Sequence, residues 1–427
     1  MPELLLTDIT ATLKEVLLPF VQDNFPKKTI LLDQMKRDSK LQVMNDEFIA
    51  PIYTSRHGGV ANLADDGNSV ISSGGRDTSR ATVSVEIVTG ALNISKLAID
   101  ASKSSVLAVQ NTLQAQTEKL TKDFARNVNR QLYGGGDGVV SMVRTTGGSV
   151  GTGTIAVEAI ATSEAGIGTV DDGRAVDYYG TINGDISPTK YFAVDQVIGV
   201  GTAGAADGTV TSVTGSSIVS GAPTAIVTAA NDAIYIQDGS GEGAGTSELL
   251  GIRAGLSSST GTSTYAGLAR NTVGWTPSFG SASEALSLTR LEQADGDVQE
   301  YTDAQDKCII LVNKTLYRKY GDLLTAMRRT VNQADLLGGW KGLEFAAGGN
   351  VVGVFRDYDV PDGEVLLLNL DTWTICQVSD TSWMEDPSGG GLLRLQNTIQ
   401  YQAVMHWFVN TLCLAPAANS KHARKSA

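Results

Sequence analysis

SSVLAVQNTLQAQTEKLTKDFARNVNRQLYGGG, residues 104–136, decides how the rest of the chain is read. Val106, Val109, Leu113, Leu120, Phe124, Val128 and Leu132 fall at spacings of three, four or seven, which draws one apolar stripe along an α-helix. Ser104 or Ser105 supplies an N-terminal cap, Glu118 and Lys122 form a supportive i,i+4 pair, and the glycines at 134–136 end the run. A helix over 104–133 would be a rod of roughly 45 Å at 1.5 Å per residue. That is several times the mean helix length, and it suits a structural spine.

Upstream of the rod are two segments that lack a core of their own. In the first forty residues, Thr7 or Asp8 can cap a short helix carrying Ile9, Leu13, Val16, Leu17 and Phe20 on one face. Pro26 stops it, and Lys27, Lys28, Lys36, Arg37 and Lys40 follow. Such an arm must lie against the body of its own chain or a neighbour. Residues 53–81, YTSRHGGVANLADDGNSVISSGGRDTSRA, are polar and punctuated by Gly58–Gly59, Asp66–Gly67 and Gly74–Gly75. They predict a long projecting hairpin whose return strand places Val83, Val85 and Ile87 on one buried face. A hairpin of this kind is marginal alone and asks for a partner.

Downstream, composition changes abruptly. Residues 145–252 hold two basic side chains, Arg174 and Lys190, against twelve acidic ones, so they carry −10 of the chain's net −13. Short β-patterned runs (TVTSV at 209–213, AIV at 225–227, AIYI at 233–236) alternate with glycine-rich turns, predicting a small all-β domain inserted into the main fold. Tyr191, Phe192, Val194, Val197, Ile198, Val200 and Tyr235 give it more core than a linker needs. Beyond it the pattern is mixed α/β. Ser283 can cap a helix through Leu286, Leu288, Leu291 and Ala294, and CIILVN at 308–313 is a strand buried on both faces. Asn313 caps a helix over 315–328, strands are expected at 351–355, 365–370 and 373–378, and a long β region over 392–414 leads to a basic tail with Lys421, Arg424 and Lys425.

The 427 residues suffice for two or three domains, and 42% apolar with 19% charged residues is ordinary for a folded protein. The 47 glycines against 10 prolines favour short strands and turns. An excess of 46 acidic over 33 basic residues argues against a protein that grips nucleic acid or an anionic membrane. No basic-leader signal and no stretch of ~18 apolar residues is seen, so folding in a cytoplasm is expected. Cys308, Cys376 and Cys413, widely spaced and flanked by apolar residues, read as buried hydrophobes in a reducing compartment.

Chemistry is sparse. There are three histidines, and a Ser55–His57–Asp65 triad would sit on one local loop rather than on a rigid frame. His406 alternates with Val404 and Phe408 as a sheet residue. GGGDG at 134–138 lacks the GK[ST] of a phosphate loop, and DGDVQEYTDAQD at 295–306 lacks the sixth-position glycine and twelfth-position glutamate of a calcium loop. We expect no catalytic residue, no cofactor and no metal.

SRHGGV (55–60), FARNVNRQLYGGGDG (124–138), GLARNTVGW (267–275) and WKGLEF…VPDGEVLLLNLDTW…WMEDP (340–387), in this order, resemble the major capsid protein of tailed bacteriophages. The resemblance covers nearly the whole chain outside the insertion. It implies an α+β, Hong Kong 97-like phage capsid fold: N-terminal arm (1–47), extended loop (48–83), peripheral domain with spine helix (84–144), inserted small all-β domain (145–252), axial domain with returning peripheral strands (253–415), and basic C-terminal tail (416–427).

It further implies hexamers and pentamers of an icosahedral virion shell around packaged double-stranded DNA, with a separate portal protein and assembly in the host bacterial cytoplasm. Assembly contacts are expected at Ile9, Leu13 and Phe20 of the arm and at Arg56, His57 and Arg76 of the extended loop. Some relatives begin with a scaffolding segment that is cut away. Here the arm begins at once, so a separate scaffolding protein and no processing are expected. Residues 48–83 contain no lysine, so the founding member's lysine crosslink is expected to be absent. Like charges repel, so the acidic insertion is expected on the outer face, touching neighbouring capsomers or a decoration protein. The competing readings are an encapsulin-like cargo shell, an exported surface-layer or adhesin subunit, and a hydrolase using His57.

Overall fold

A computed structural model describes residues 29–38, 42–55, 57, 60, 75–96, 106–136, 139–142, 154–156, 197–200, 207–213, 217–220, 233–236, 248–257, 264–280, 284–302, 307–326, 333–336, 340–347, 350–360, 363–384, 393–394, 400–422 and 425–426.

The run CIILV sets the centre of the larger sheet. Cys308–Val312 pairs with Val365–Asn369 on one side and Asn350–Arg356 on the other, in a seven-stranded sheet. The strand order is Ser278–Gly280, Ser420–His422, Val365–Asn369, Cys308–Val312, Asn350–Arg356, Trp340–Ala347 and Gln333–Leu336. Ile309 and Leu311 enter the larger core, while Ile310 and Val312 enter a second core under two helices, Leu288–Gln299 and Lys314–Ala326. Both faces are buried, as the unbroken apolar run requires. Asn313 caps the second helix by accepting the Leu316 N–H at 2.8 Å.

A second, six-stranded sheet is organised by the long strand Gln400–Cys413. It pairs antiparallel with Trp373–Gln377 and with Glu86–Ser95, and Lys36–Asp38 joins the far side of Trp373–Gln377 in parallel. The predicted rod is present as Val106–Tyr133, about 42 Å at 1.5 Å per residue, and it lies across Glu86–Ser95. Gly90 makes the crossing close, since a Cβ there would stand 3.4 Å from both Leu120 and Phe124. Tyr133 is the last helical residue, and Gly136 turns away at φ +81°.

Between the rod and Glu248, six described strands form one antiparallel sheet: Val139–Met142, Thr154–Ala156, Val197–Val200, Asp207–Val213, Ser217–Ser220 and Ala233–Ile236. The first and last are neighbours, so the segment leaves and re-enters at adjacent points. The expected strand at 225–227 and the aromatics Tyr191 and Phe192 lie outside the described residues.

Several boundaries differ from those read in the sequence. The arm expected over 1–47 cannot extend past residue 29, because Ile30, Leu31, Leu32 and Met35 are core, and Lys36 and Arg37 sit in a sheet strand. Leu249 and Ile252, expected in the insertion, belong to the main core, and Val139–Met142, expected in the peripheral domain, joins the six-stranded sheet that also holds Ala233–Ile236. The basic tail expected at 416–427 is corrected most sharply. Pro416–Ala418 is a buried 3-10 turn, and Ser420–His422 is an interior strand between Ser278–Gly280 and Val365–Asn369. Lys421 is buried because it pairs with Glu364 at 3.1 Å.

The return strand also breaks at Val85, whose N–H bonds the Asp46 carbonyl at 2.8 Å. Burial then passes from Ala81 and Val83 to Val88, leaving Ile87 exposed. The helix expected from a Ser283 cap begins at Leu288 instead, and Ser283 lies outside the described residues. Among the described residues no helix is long and apolar enough to cross a membrane.

Candidate assembly surfaces and the hub that positions them

The segment expected to form the extended loop begins and ends in two paired strands, Glu47–Tyr53 and Thr78–Ser84, in register from Glu47↔Ser84 to Tyr53↔Thr78. Its root is core: Phe48, Ala50, Ala81 and Val83 are buried. Further out, packing gives way to exposure, with Tyr53 63% and Val60 85% exposed. Thr54 N–H donates to the Asp77 carbonyl (3.0 Å) and Asp77 N–H to Ser55 Oγ (2.8 Å), which holds the two strands together where the protein core ends.

A third strand, Gln42–Met44, reverses into Glu47–Tyr53 through Asn45 (φ 53°) and Asp46 (φ 62°), the residue pair that a two-residue hairpin turn with positive φ tolerates. Its Val43 and Met44 are exposed on the outer edge of this three-stranded sheet. Unpaired apolar edges are rarely left open in soluble monomers. A second two-residue hairpin, Thr264–Tyr265 with Leu268–Ala269, clamps the loop's root, the Ala266 carbonyl accepting the Thr82 N–H at 2.9 Å. This is the GLARNTVGW motif. Its Trp275 Nε1 donates to the Tyr265 carbonyl (3.0 Å), and Arg270 is buried, donating to the Gly255 carbonyl (2.6 Å) with its guanidinium 4.8 Å from the Tyr265 ring.

The end of the rod is a polar hub inside the core. Asn129 accepts the Leu32 N–H (3.3 Å) and donates to Asp359 (2.6 Å), Arg130 pairs with Glu248, and Gln131 accepts the Leu249 N–H (3.4 Å). Tyr133 donates its hydroxyl to Asp357 at 2.8 Å. Three consecutive buried polar residues thus tie the segment at Leu32, the segment at 248–249 and the loop at 357–359 to one helix end. On the neighbouring strand, Asn410 accepts the Leu250 N–H (2.8 Å) and donates to the Ser84 carbonyl (2.7 Å), which extends the hub to the loop's root. A side-chain network of this kind specifies one arrangement when all its members are satisfied.

Burial, and next the charge of Asp359, push the Asp357 carboxyl up from the ordinary 3.8 to about 6. Folded protein therefore holds this proton more tightly than unfolded chain does. Asp357's contribution to stability is largest below pH 4 and declines as pH rises through about 6. Asp357→Asn should flatten the fall in urea midpoint between pH 4 and pH 7. An unchanged slope would refute the assignment.

Of the residues expected at assembly contacts, Ile9, Leu13, Phe20 and Arg56 lie outside the described residues. His57 is exposed, and Arg76 is exposed with its guanidinium 4.6 Å from the Tyr53 ring, at the point where the loop leaves the body. Of the triad considered and set aside, Ser55 already binds Asp77 N–H, and Asp65 lies outside the described residues. Asp295, the first residue of the calcium-like stretch, is helical and half of a side-chain bond with Gln299. His406 is a strand residue, within 3.3 Å of Ser382 Oγ. Cys376 and Cys413 are buried free thiols whose burial raises both to about 12, so they act as packing groups rather than nucleophiles. The sequence reading missed Val43, Met44 and the 129–131 hub. The Asn45–Asp46 turn could have flagged the first, whereas the hub carries no periodic signal.

No family model matches the sequence, and no curated protein matches it. Solved structures do. A capsid chain of cyanophage A-1(L) matches with a TM-score of 0.53 at 11% identity, covering 96% of both chains. A capsid structure of cyanophage P-SCSP1u matches with a TM-score of 0.45 at 9% identity, covering 96% of this chain and 92% of that one. An encapsulin complex from Synechococcus elongatus matches with a TM-score of 0.47 at 7% identity, covering 97% and 95%. The first likeness establishes the fold: this chain has the mixed α/β fold of a phage capsid subunit along nearly its whole length.

Proposed function

We propose that this chain is the major capsid protein of a tailed double-stranded DNA phage. Copies assemble as hexamers and pentamers into an icosahedral shell that encloses the genome, and the protein is structural rather than enzymatic. The observation that carries the reading is the extended loop on a phage-capsid fold: its root is locked into the core, while Tyr53 and Val60 of the loop, and Val43 and Met44 of the edge strand beside it, are apolar and exposed. Elements anchored this firmly and left uncovered gain their buried area from neighbouring copies.

The arm's Ile9, Leu13 and Phe20 and the loop's Arg56, His57 and Arg76 are the contacts we assign to those neighbours. The division into arm, extended loop, peripheral domain, inserted all-β domain and axial domain is part of the same reading, as is assembly in the host cytoplasm with a separate scaffolding protein and a portal. The acidic insertion faces outward, away from packaged DNA, within reach of adjoining capsomers or a decoration protein.

Sedimentation velocity of the full chain, expressed alone and with a scaffold, tests this. The expected result is species far above 44.8 kDa that contain only this chain in their shell. Particles filled with a co-purifying protein cargo would move the reading to an encapsulin-like compartment, and a monomer under all conditions would end it.

A further inference from the structure

The seven-stranded sheet carries two helices on one face, and their exposed sides have opposite charge. Leu291 and Val298 of the first helix and Leu316 and Tyr320 of the second enter the same core cluster, so the helices share a face. Helix Leu288–Gln299 covers the half of the sheet containing Ser278–Gly280, Ser420–His422 and Val365–Asn369, whereas helix Lys314–Ala326 covers the half containing Asn350–Arg356. The first exposes Glu292, Asp297 and, directly after it, Glu300. The second exposes Lys314 and Arg318, with Lys319 half-exposed and Asp322 as its one exposed acid.

Asp297 is used internally, accepting from Ser278 Oγ at 2.6 Å. Among the described residues, Glu292, Glu300, Arg318 and Lys319 have no ion-pair partner. With Arg290 already paired to Glu284, the first helix presents unpaired acids and the second unpaired bases. A second copy placed head to tail would bring the two together, and a head-to-tail contact whose rotation closes makes a ring.

We propose that helix Leu288–Gln299 of one copy docks against helix Lys314–Ala326 of a second copy, with Glu292 and Glu300 facing Arg318 and Lys319. The contact rests on the shell reading and gives it a direction: each capsomer closes through one repeated acidic-to-basic step around its axis. Complementary charge of this kind sets orientation and encounter rate and suppresses the wrong pairing, acid against acid.

The test uses the full chain in three forms: Glu292→Lys with Glu300→Lys, Arg318→Glu with Lys319→Glu, and all four together. Each reversal alone should lower the assembled fraction in sedimentation velocity about tenfold, and the fourfold swap should restore it. Mixing the two single-helix reversals should also restore six-membered rings, because alternating copies again present opposite charges, whereas a five-membered ring cannot alternate. Circular dichroism checks that each form is folded. If a reversal does not fold, Glu292→Gln with Glu300→Gln serves in its place, and a smaller loss that salt no longer modulates is expected. Single reversals that assemble like the parent would overturn this contact and leave the shell reading standing. A fourfold swap and a mixture that both stay unassembled while folded would overturn the complementarity. A parent chain that never assembles would overturn the shell reading itself.

Discussion

Lys421→Met should destabilise the folded subunit by roughly 3–5 kcal/mol, the usual consequence of removing one partner from a buried ion pair. Lys421 and Glu364 are both almost fully buried, with Nζ and Oε1 3.1 Å apart. The strand that carries Lys421 lies inside the seven-stranded sheet, between Ser278–Gly280 and Val365–Asn369. Without the ammonium, the Glu364 carboxylate stays in the interior but has lost the Lys421 charge, and either it takes up a proton or the strand loosens. The double change Lys421→Met with Glu364→Leu removes both charges and should recover most of the loss, because well-packed apolar replacements of a buried pair are often neutral. The check is the shift of the urea midpoint in the two variants. A single variant as stable as the parent would mean that Ser420–His422 is not an interior strand.

Gly251→Ala should cost about 3 kcal/mol, the upper range for forcing atoms into a packed interior. A Cβ at residue 251 would press on the carbonyl oxygens of Gln131 (2.5 Å), Gly134 (2.7 Å) and Leu132, the closing turn of the rod. These are backbone atoms and cannot swing aside, so the 248–252 return would have to lift off the hub and strain the Arg130–Glu248 and Gln131–Leu249 contacts. Gly296 is the control. It lies within helix Leu288–Gln299 with nothing inside 4 Å of its Cβ position, so Gly296→Ala should stabilise by about 0.5–1 kcal/mol through helix propensity and a less free unfolded chain. Thermal unfolding of the two variants should move in opposite directions. Equal shifts would refute the close approach at 251.

What the sequence made legible follows from periodicity. Val128 and Leu132 of the rod's apolar stripe are core, and the unbroken CIILV run shares Ile309 and Leu311 with one core and Ile310 and Val312 with the other. Of the return strand, Val83 is buried where alternation places it. What could not be read was burial that contradicts polarity. Lys421 looks like a tail residue because a lone lysine near a terminus is usually solvated, and its buried partner Glu364 stands 57 positions away in the chain.

Asn129, Arg130 and Gln131 are polar residues at the end of an amphipathic helix and would be assigned to its wet face. Their partners Leu32, Glu248, Leu249 and Asp359 come from three distant segments. Ile87 was misplaced for a different reason. A one-residue break at Val85 transfers burial to the other parity, and period-two patterning has no means of announcing it.

The most direct measurement is electron cryomicroscopy of the purified full-length chain after expression with a scaffold. Closed icosahedral particles with clusters of five and six subunits are expected, in which each extended loop lies over an adjoining subunit that covers Tyr53 and Val60. A discrete 44.8 kDa globule, with that loop folded back on its own body and its apolar residues covered from within, would contradict that expectation.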